Sequence, residues 1–225
     1  MRSTIAAAML LAGLNPAAHA ADLSIPKAPP SYVQGTPWPG FFILGATIGG
    51  SVTDQSFDIL NAGTGTVTIG GVRAGGLVGY EIKTAAIMVR AEVDGEYDFG
   101  RGGVAACTGM TIACHLSHGG VVTERLDFGL PQAWLGGATP FASVGASQHQ
   151  EFAAVDTAGS ASQWLNSLVA GAGLDIPMGN VFSLGVRWDH VFPGQAIAFG
   201  TPALPVAVNN SQADIFRANV KWRLN

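Results

Sequence analysis

From Ile87 to Asp98 the chain alternates without a break. The odd positions are Ile87, Val89, Ala91, Val93, Gly95 and Tyr97; the even positions are Met88, Arg90, Glu92, Asp94, Glu96 and Asp98. A period of two places successive side chains on opposite faces of a strand, whereas a helix would mix the two sets. This segment therefore reads as a strand with one apolar face and one charged face. Seven further segments carry the same period less cleanly: Phe42 to Val52, Val72 to Tyr80, Val122 to Phe128, Ala142 to Ser147, Ser167 to Asp175, Phe182 to Asp189, and Phe216 to Leu224. Glu124 interrupts the apolar face of the third of these. Strands of about ten residues are long enough to cross a bilayer at a tilt.

Composition decides what such strands serve. Of 225 residues, 48% are hydrophobic and 12% charged, so too little charge remains to coat an ordinary soluble surface, and the apolar share excludes disorder. The absence of a long unbroken apolar run excludes a helical membrane protein. A formal charge of −4 with 11 basic residues leaves no electrostatic case for nucleic acid. What remains is a chain that hides apolar groups by alternation.

The polar strand faces collect Arg73, Arg90, Arg125, Arg187, Arg217, Lys221 and Arg223, with Glu92, Asp94, Glu96, Asp127 and Asp189. A soluble β-protein turns such faces to water. A transmembrane barrel turns them into its lumen and gives the apolar faces to lipid. Three features favour the second arrangement. The apolar faces include many small residues (Ala46, Ala74, Ala91, Ala142, Ala170, Ala172, Ala218) that would pack a thick core poorly. The polar faces are close to balanced in charge. Aromatics gather near strand ends: Trp38, Phe41, Phe42, Tyr80, Tyr97, Phe128, Trp164, Phe182, Trp188 and Trp222. The pattern predicts an all-β fold, an eight-stranded antiparallel up-and-down transmembrane β-barrel. Eight strands leave room only for side chains, so its lumen is expected to be filled. Arg73, Arg90, Glu92, Asp94, Arg125, Asp127, Arg187, Asp189, Arg217 and Lys221 are expected to form a paired ladder there. Arg90 or Arg125 should meet Glu92 or Asp127, and Arg187 or Arg217 should meet Asp189. Gly45, Gly75, Gly145, Gly171, Gly173 and Gly185 should make room for the arginines.

Connections alternate in length. Long ones fall near 53–66, 99–118, 148–162 and 193–211, and short ones near 81–85, 130–138 and 176–180. That asymmetry predicts long extracellular loops and short periplasmic turns. Residues 1–20 read as a signal peptide, with Arg2, an apolar Ile5–Leu14 stretch and Ala18-His19-Ala20 before the cleavage point. Residues 21–37 read as a Pro-rich linker and 38–225 as the barrel. Export agrees with Cys107 and Cys114 closing a small disulfide loop. With His115 and His118 they form a nominal Cys2His2 set, but the spacing is unlike a structural zinc site. No cofactor is implied. His115-Leu116-Ser117 is placed in a loop, and Asp189 and His190 point to opposite strand faces, so neither makes a catalytic pair.

The chain also resembles the small outer-membrane β-barrel proteins of alphaproteobacteria, the porin-family or opacity-like group with an OmpA-type eight-stranded fold. The matching residues are Ala21-Asp22-Leu23 leading to Lys27-Ala28-Pro29-Pro30, then Trp38-Pro39-Gly40-Phe41-Phe42-Ile43-Leu44-Gly45. Gly75-Gly76-Leu77-Val78-Gly79-Tyr80, Val181 to Trp188 and Asp214 to Leu224 complete the set. Such barrels usually end in Phe; this chain ends Trp222-Arg223-Leu224-Asn225. The resemblance implies insertion into the outer membrane, contact with its lipid and lipopolysaccharide, delivery by the barrel-assembly machinery, a structural or surface-presenting role, and no shared catalytic residues. Two rival readings make different demands. A lipocalin-like exported barrel binding a small hydrophobic ligand needs the Arg/Glu set outside. A lipid-modifying outer-membrane enzyme needs an essential Ser or His.

Overall fold

The computed structural model describes residues 40–59, 63–99, 103–106, 113–132, 136–156, 158–202 and 204–224. The signal-peptide and linker segments, Trp38 and Cys107 lie outside them. The strands are β1 (Phe41–Ile59), β2 (Gly63–Lys83), β3 (Met88–Asp98), β4 (Gly103–Ala106), β5 (Ala113–Gly129), β6 (Thr139–Val155), β7 (Gly159–Met178), β8 (Phe182–Val191), β9 (Ile197–Thr201) and β10 (Leu204–Leu224). Eight of them form an antiparallel ring, β1-β2-β3-β5-β6-β7-β8-β10, closed by pairing of β1 with β10 from Phe42↔Leu224 to Ile59↔Val206. Over the span that β3 and β8 cover, closure leaves no free sheet edge among the described residues.

The two short strands extend the ring rather than adding to it. β4 pairs with Ala113 to Leu116 of β5, on the edge that β3 holds nearer the tight turns. β9 pairs with Leu204 to Val208 of β10, on the edge that β8 holds from Ala213 onward. Thus β3/β4 and β8/β9 are each one wall position, interrupted. The long connections expected near 53–66, 99–118, 148–162 and 193–211 are consequently built largely as strand. His115-Leu116-Ser117 lies on β5, not in a loop. At the other end the turns are tight. Residues 84–87 are closed by Thr84, whose hydroxyl accepts from the Ala86 and Ile87 amides at 3.2 and 3.0 Å. Gly179, with φ of 84°, supplies the left-handed residue after Met178.

Strand length exceeds what a bilayer needs. β2 and β10 have 21 residues each. At a tilt near 40° this gives a wall roughly 50 Å tall, about twice an apolar band of ~25 Å. The surplus has opposite polarity. In the turn-end tier the outward positions include Phe42, Leu44, Ile48, Val72, Val78, Leu126, Phe128, Val144, Leu168, Val186, Phe216 and Val220, with Leu168 70% exposed. In the loop-end tier the outward positions include Asp54, Asp58, Thr64, Thr66, Thr68, His115, Ser160 and Asn209. The interior changes in step. The loop-end interior is an apolar cluster containing Phe57, Ile59, Val67, Ile69, Leu116, Val155, Leu165, Ile197, Val206 and Val208. The turn-end interior is charged. One wall therefore carries a membrane-type tier and a water-type tier.

Two register shifts lie at the change of tier. One falls between His118 and Val121 of β5, so inward positions pass from even (Cys114, Leu116, His118) to odd (Val121, Thr123, Arg125, Asp127). The other falls where Asp54 and Ser56 of β1 face Gln212 and Asn209 of β10. Each inserts a residue and flips the phase of one strand.

Outward aromatics rim the apolar band. Phe42 and Tyr80 meet edge to face at 5.2 Å, and Phe182 and Trp222 stack at 5.9 Å, all toward the turn end. Tyr97 and Phe99 at 5.1 Å, with His190 and Phe192 at 4.8 Å, stand toward the loop end. Phe41, expected in this girdle, is instead in the inward phase beneath the Arg223 guanidinium at 4.9 Å. Starting at Phe41, the odd positions of β1 face in, which is why its neighbour Phe42 takes the girdle place.

The tiers should respond differently to the same charge. Val186→Arg in the apolar band is expected to cost about 2–4 kcal/mol. Thr66→Arg in the loop-end tier should change stability by less than about 0.5 kcal/mol. Denaturant unfolding of protein folded into lipid vesicles measures both.

Candidate functional site

The alternation that makes the wall apolar outside obliges every other residue of the turn-end tier to point into a lumen too narrow for bulk water. Nine carboxylates are buried there or at its upper boundary: Glu81, Glu92, Asp94, Glu96, Asp98, Asp127, Glu151, Asp175 and Asp189. Six strong bases face them: Arg73, Arg90, Arg125, Arg187, Arg217 and Lys221. Half-buried Lys83 and Arg223 at the turn end, and the imidazoles of His118 and His149 at the other, stand where the acid excess lies.

The network rises in layers. Nearest the turns, Lys83 donates to Thr139 at 2.7 Å, Arg223 lies 3.5 Å from Glu81, and Lys221 reaches the two oxygens of Asp175 at 2.9 and 3.1 Å. Arg90, with no exposure, is the hub of the next layer. It donates to Asp127 at 2.8 and 2.6 Å and to Glu81 at 3.1 Å, pairs with Asp175, and lies 3.3 Å from Glu92. Its partners come from β2, β3, β5 and β7, so one guanidinium ties four strands across the lumen. Arg187 bridges Glu92 at 2.6 Å and Asp127 at 2.5 Å. The Phe141 ring lies beneath Arg90, Arg187 and Lys221 at 5.0, 4.9 and 5.5 Å, so a cation–π face fills the space that carboxylates leave.

Above this, Arg125 pairs with Asp94 and donates to Asp189 at 3.1 Å and Glu92 at 3.3 Å. Arg217 pairs with Asp189 and grips Glu96 through two donors at 2.7 and 2.9 Å. The uppermost strong base, Arg73, donates to Asp98 at 2.9 Å, and Ser51 donates to the same carboxylate at 3.3 Å. Just below the apolar cluster, Gln55 donates to Glu151, His149 lies 3.7 Å from Glu151, and His118 lies 3.8 Å from Asp98. Burying this many charges is tolerable only because the pairs are multivalent and hydrogen-bonded.

All ten ladder residues named from the sequence are buried in the lumen; nine share one connected set of ion pairs, and Arg73 pairs with Asp98 above them. Arg90 meets both Glu92 and Asp127, while Arg187 turns to Glu92 and Asp127 and leaves Asp189 to Arg125 and Arg217. Glu81, Asp175 and Phe141 join the connected set, and Asp98, Glu151, His118 and His149 stand at its upper boundary. All but His118, which the β5 bulge puts in the opposite phase to Arg125, are in phase with their strand's inward face, but most lie past the ends that the cleanest alternation defines. Of the six glycines expected to make room for arginines only Gly145 does so; Gly45 and Gly75 lie against the backbone of the next strand, Gly173 against the Phe141 ring, and Gly185 against Asn219 and Asp175. A Cβ on Gly145 would stand 2.9 Å from the Arg125 Cγ, and one on Gly171 would collide with the Asp189 carboxylate. Of the cysteines, Cys114 is fully buried in the apolar cluster, and Cys107 lies outside the described residues. His115 faces outward, 3.3 Å from Asp156. Asp189 points in and His190 points out, where it meets Asp214 at 3.0 Å. Among the described residues no group of three or more His, Cys, Asp or Glu side chains is arranged to hold a metal.

The placement overturns the lipocalin-like reading, which needs the arginines and glutamates on the outer surface. No family model matches the chain, and no curated protein matches it. Solved structures do. Outer-membrane protein OprG from Pseudomonas aeruginosa is 12% identical, covers 83% of this chain and 96% of its own, and has a TM-score of 0.50. Neisserial surface protein A is 11% identical over 81% of this chain and 97% of its own, at a TM-score of 0.46. The N-terminal barrel domain of Pseudomonas aeruginosa OprF is 13% identical over 82% and 99%, at 0.41. The chain has the fold of an outer-membrane eight-stranded β-barrel.

Arg90→Met strips counter-charge from Asp127, Glu81 and Asp175 at once, and is expected to cost about 3–5 kcal/mol. Arg90→Met combined with Asp127→Leu should recover part of that loss. A double-mutant cycle in denaturant measures the coupling. Gly145→Leu, by driving a side chain into the Glu124 carbonyl and the Arg125 stem, should cost about 1–3 kcal/mol in the same assay.

Proposed function

We propose that this chain is an integral outer-membrane protein whose barrel is closed to solutes and whose loop-end tier stands outside the membrane as a rigid element of the envelope surface. The reversal of polarity along one continuous wall carries the reading. An apolar-out, charged-in tier suits hydrocarbon, and a polar-out, apolar-in tier suits water. A single ring with both belongs at a membrane surface with half its height projecting. The lumen is blocked twice, by the ion-pair network and by the apolar cluster above it, so the contribution is structural and surface-presenting rather than conductive.

In this reading residues 1–20 direct export and are removed, and 21–37 lead from the periplasm into β1. The barrel-assembly machinery receives the chain, with β10 closing against β1. The apolar band contacts outer-membrane lipid, and the outward polar residues above it meet lipopolysaccharide headgroups. Cys107 and Cys114 pair in the oxidising compartment. No catalytic role is assigned.

Purified protein inserted into planar bilayers should show no unitary conductance, and vesicles carrying it should not swell in small sugars. The same preparation should migrate faster unheated than boiled on a denaturing gel, as a closed barrel does. Porin-sized conductance steps in the unmodified protein would falsify the closed lumen.

A further inference from the structure

The boundary between the two tiers holds one acid too many. Of the nine buried carboxylates, seven lie below this level, where five buried bases together with Lys83 and Arg223 match them one for one. The remaining two, Asp98 and Glu151, face a single strong base, Arg73. Arg73 serves Asp98 at 2.9 Å, and Ser51 adds a donor at 3.3 Å. Glu151 has no exposure and, among the described residues, no ion pair with a Lys or Arg.

The partners of Glu151 are two. Gln55 donates to one carboxylate oxygen from across the lumen, and the Nε2 of His149 lies 3.7 Å from the other. That second oxygen and the His149 Nε2 are both buried, and neither has a hydrogen-bond partner among the described residues. A carboxylate shut away like this is costly unless a positive charge is set against it. Bulk water gives no relief, because the void beside His149 measures about 10 Å³, roughly the space of one water.

The groups facing the pair leave His149 to carry that charge. From β5, His118 stands opposite Glu151 in register, but it lies 3.8 Å from Asp98 and lines the void with Arg73, so it competes for an acid already served. β2 and β3 supply Arg73 and Asp98 themselves. β7 brings Gln163 and Leu165, β1 Thr53 and Gln55, β8 Val191 and β10 Ala213, none of which titrates. In the layer below, Arg217 and Glu96 are paired with each other. Between an imidazole and a carboxylate the proton resides on the nitrogen, which is the more basic by roughly two pK units.

We propose that the closed barrel binds one proton in its interior, carried by His149 and donated from Nε2 to Glu151, and that this charge fastens the two tiers together. The position suits such a lock. His118 borders the β5 bulge, and Gln55 falls within the shift of β1 against β10. The chain Gln55–Glu151–His149 therefore spans the lumen at the level where both bulged strands change phase. Losing the proton leaves a bare carboxylate beneath the apolar cluster, which loosens the attachment of the loop-end tier. The native chain keeps a proton that the unfolded chain gives up above about pH 6.5, so this stabilisation is full below that value and falls as pH rises.

The test uses the full chain, labelled with nitrogen-15 at histidine and folded in detergent micelles. At about pH 7.5, where an ordinary imidazole is mostly neutral, His149 should give the nitrogen shifts of an imidazolium, assigned by their loss in His149→Gln. In denaturant unfolding of the same preparation, the unfolding constant should rise with pH between about 7 and 9, by at most about tenfold per unit. Glu151→Gln should cancel that rise, since nothing then needs the proton, and His118→Gln should leave it in place. A neutral His149 at that pH overturns the proposal. So does a rise that survives Glu151→Gln, or one that His118→Gln abolishes. Should Glu151→Gln fail to fold, the nitrogen shifts of the wild type still decide.

Discussion

A guanidinium shut away from water has to be surrounded by carboxylates, and that requirement organises this molecule. Arg90 has no exposure and draws acids from β2, β3, β5 and β7. β2 and β5 flank β3 and could supply theirs in a flat sheet, but Asp175 on β7 reaches Arg90 because the sheet is rolled into a ring, so that residues distant around the wall meet across a narrow lumen. The strongly basic side chains of Arg125, Arg187, Arg217 and Lys221 impose the same demand at successive heights. The network holds opposite walls together more than neighbouring strands. Breaking one pair leaves several charges stranded rather than one.

Turning the charges inward has a consequence on the other face. With period two, each inward arginine or aspartate is flanked by outward residues, and in the turn-end tier these are apolar. Such a surface is stable only where the solvent is itself apolar. Above the band the relation reverses within the same strands, and the surface becomes Thr, Ser and Asp over an interior of Phe57, Leu116, Leu165 and Val208. The two tiers of the wall therefore differ in which face is apolar. Outward polar side chains within the band include Glu124, Gln148 and Asn166 on β5 to β7 and the His190–Asp214 pair on β8 and β10.

Much of the turn-end tier can be read from residues alone, because its alternation is long and its two faces differ in charge. Arg90, Glu92 and Asp94 announce their side of β3 without help. The loop-end tier is harder to see for two reasons. Its polarity is opposite, so a rule tuned to apolar-out strands takes it for loop. The shifts near His118 and near Asn209 also change which parity faces in, so continuing the count from Arg125 or Arg217 puts Leu116 and Val208 on the wrong face. Phe141 escapes notice because an inward aromatic among charges makes sense only once three cations are seen around its ring.

The order of residues by itself determined the strands, their apolar and charged sides, and the need for closure, because the period of two and the scarcity of charge are local properties of the chain. Tertiary structure alone decided which acid serves which base. Asp175 and Arg90 are far apart in sequence and meet only across the lumen, and Asp189 is given to Arg125 and Arg217 rather than to its strand-mate Arg187. It also decided that the wall continues past the apolar band, since that depends on bulges and on pairing between distant segments. Distances across a closed ring are fixed by its circumference and stagger, and no local pattern encodes them.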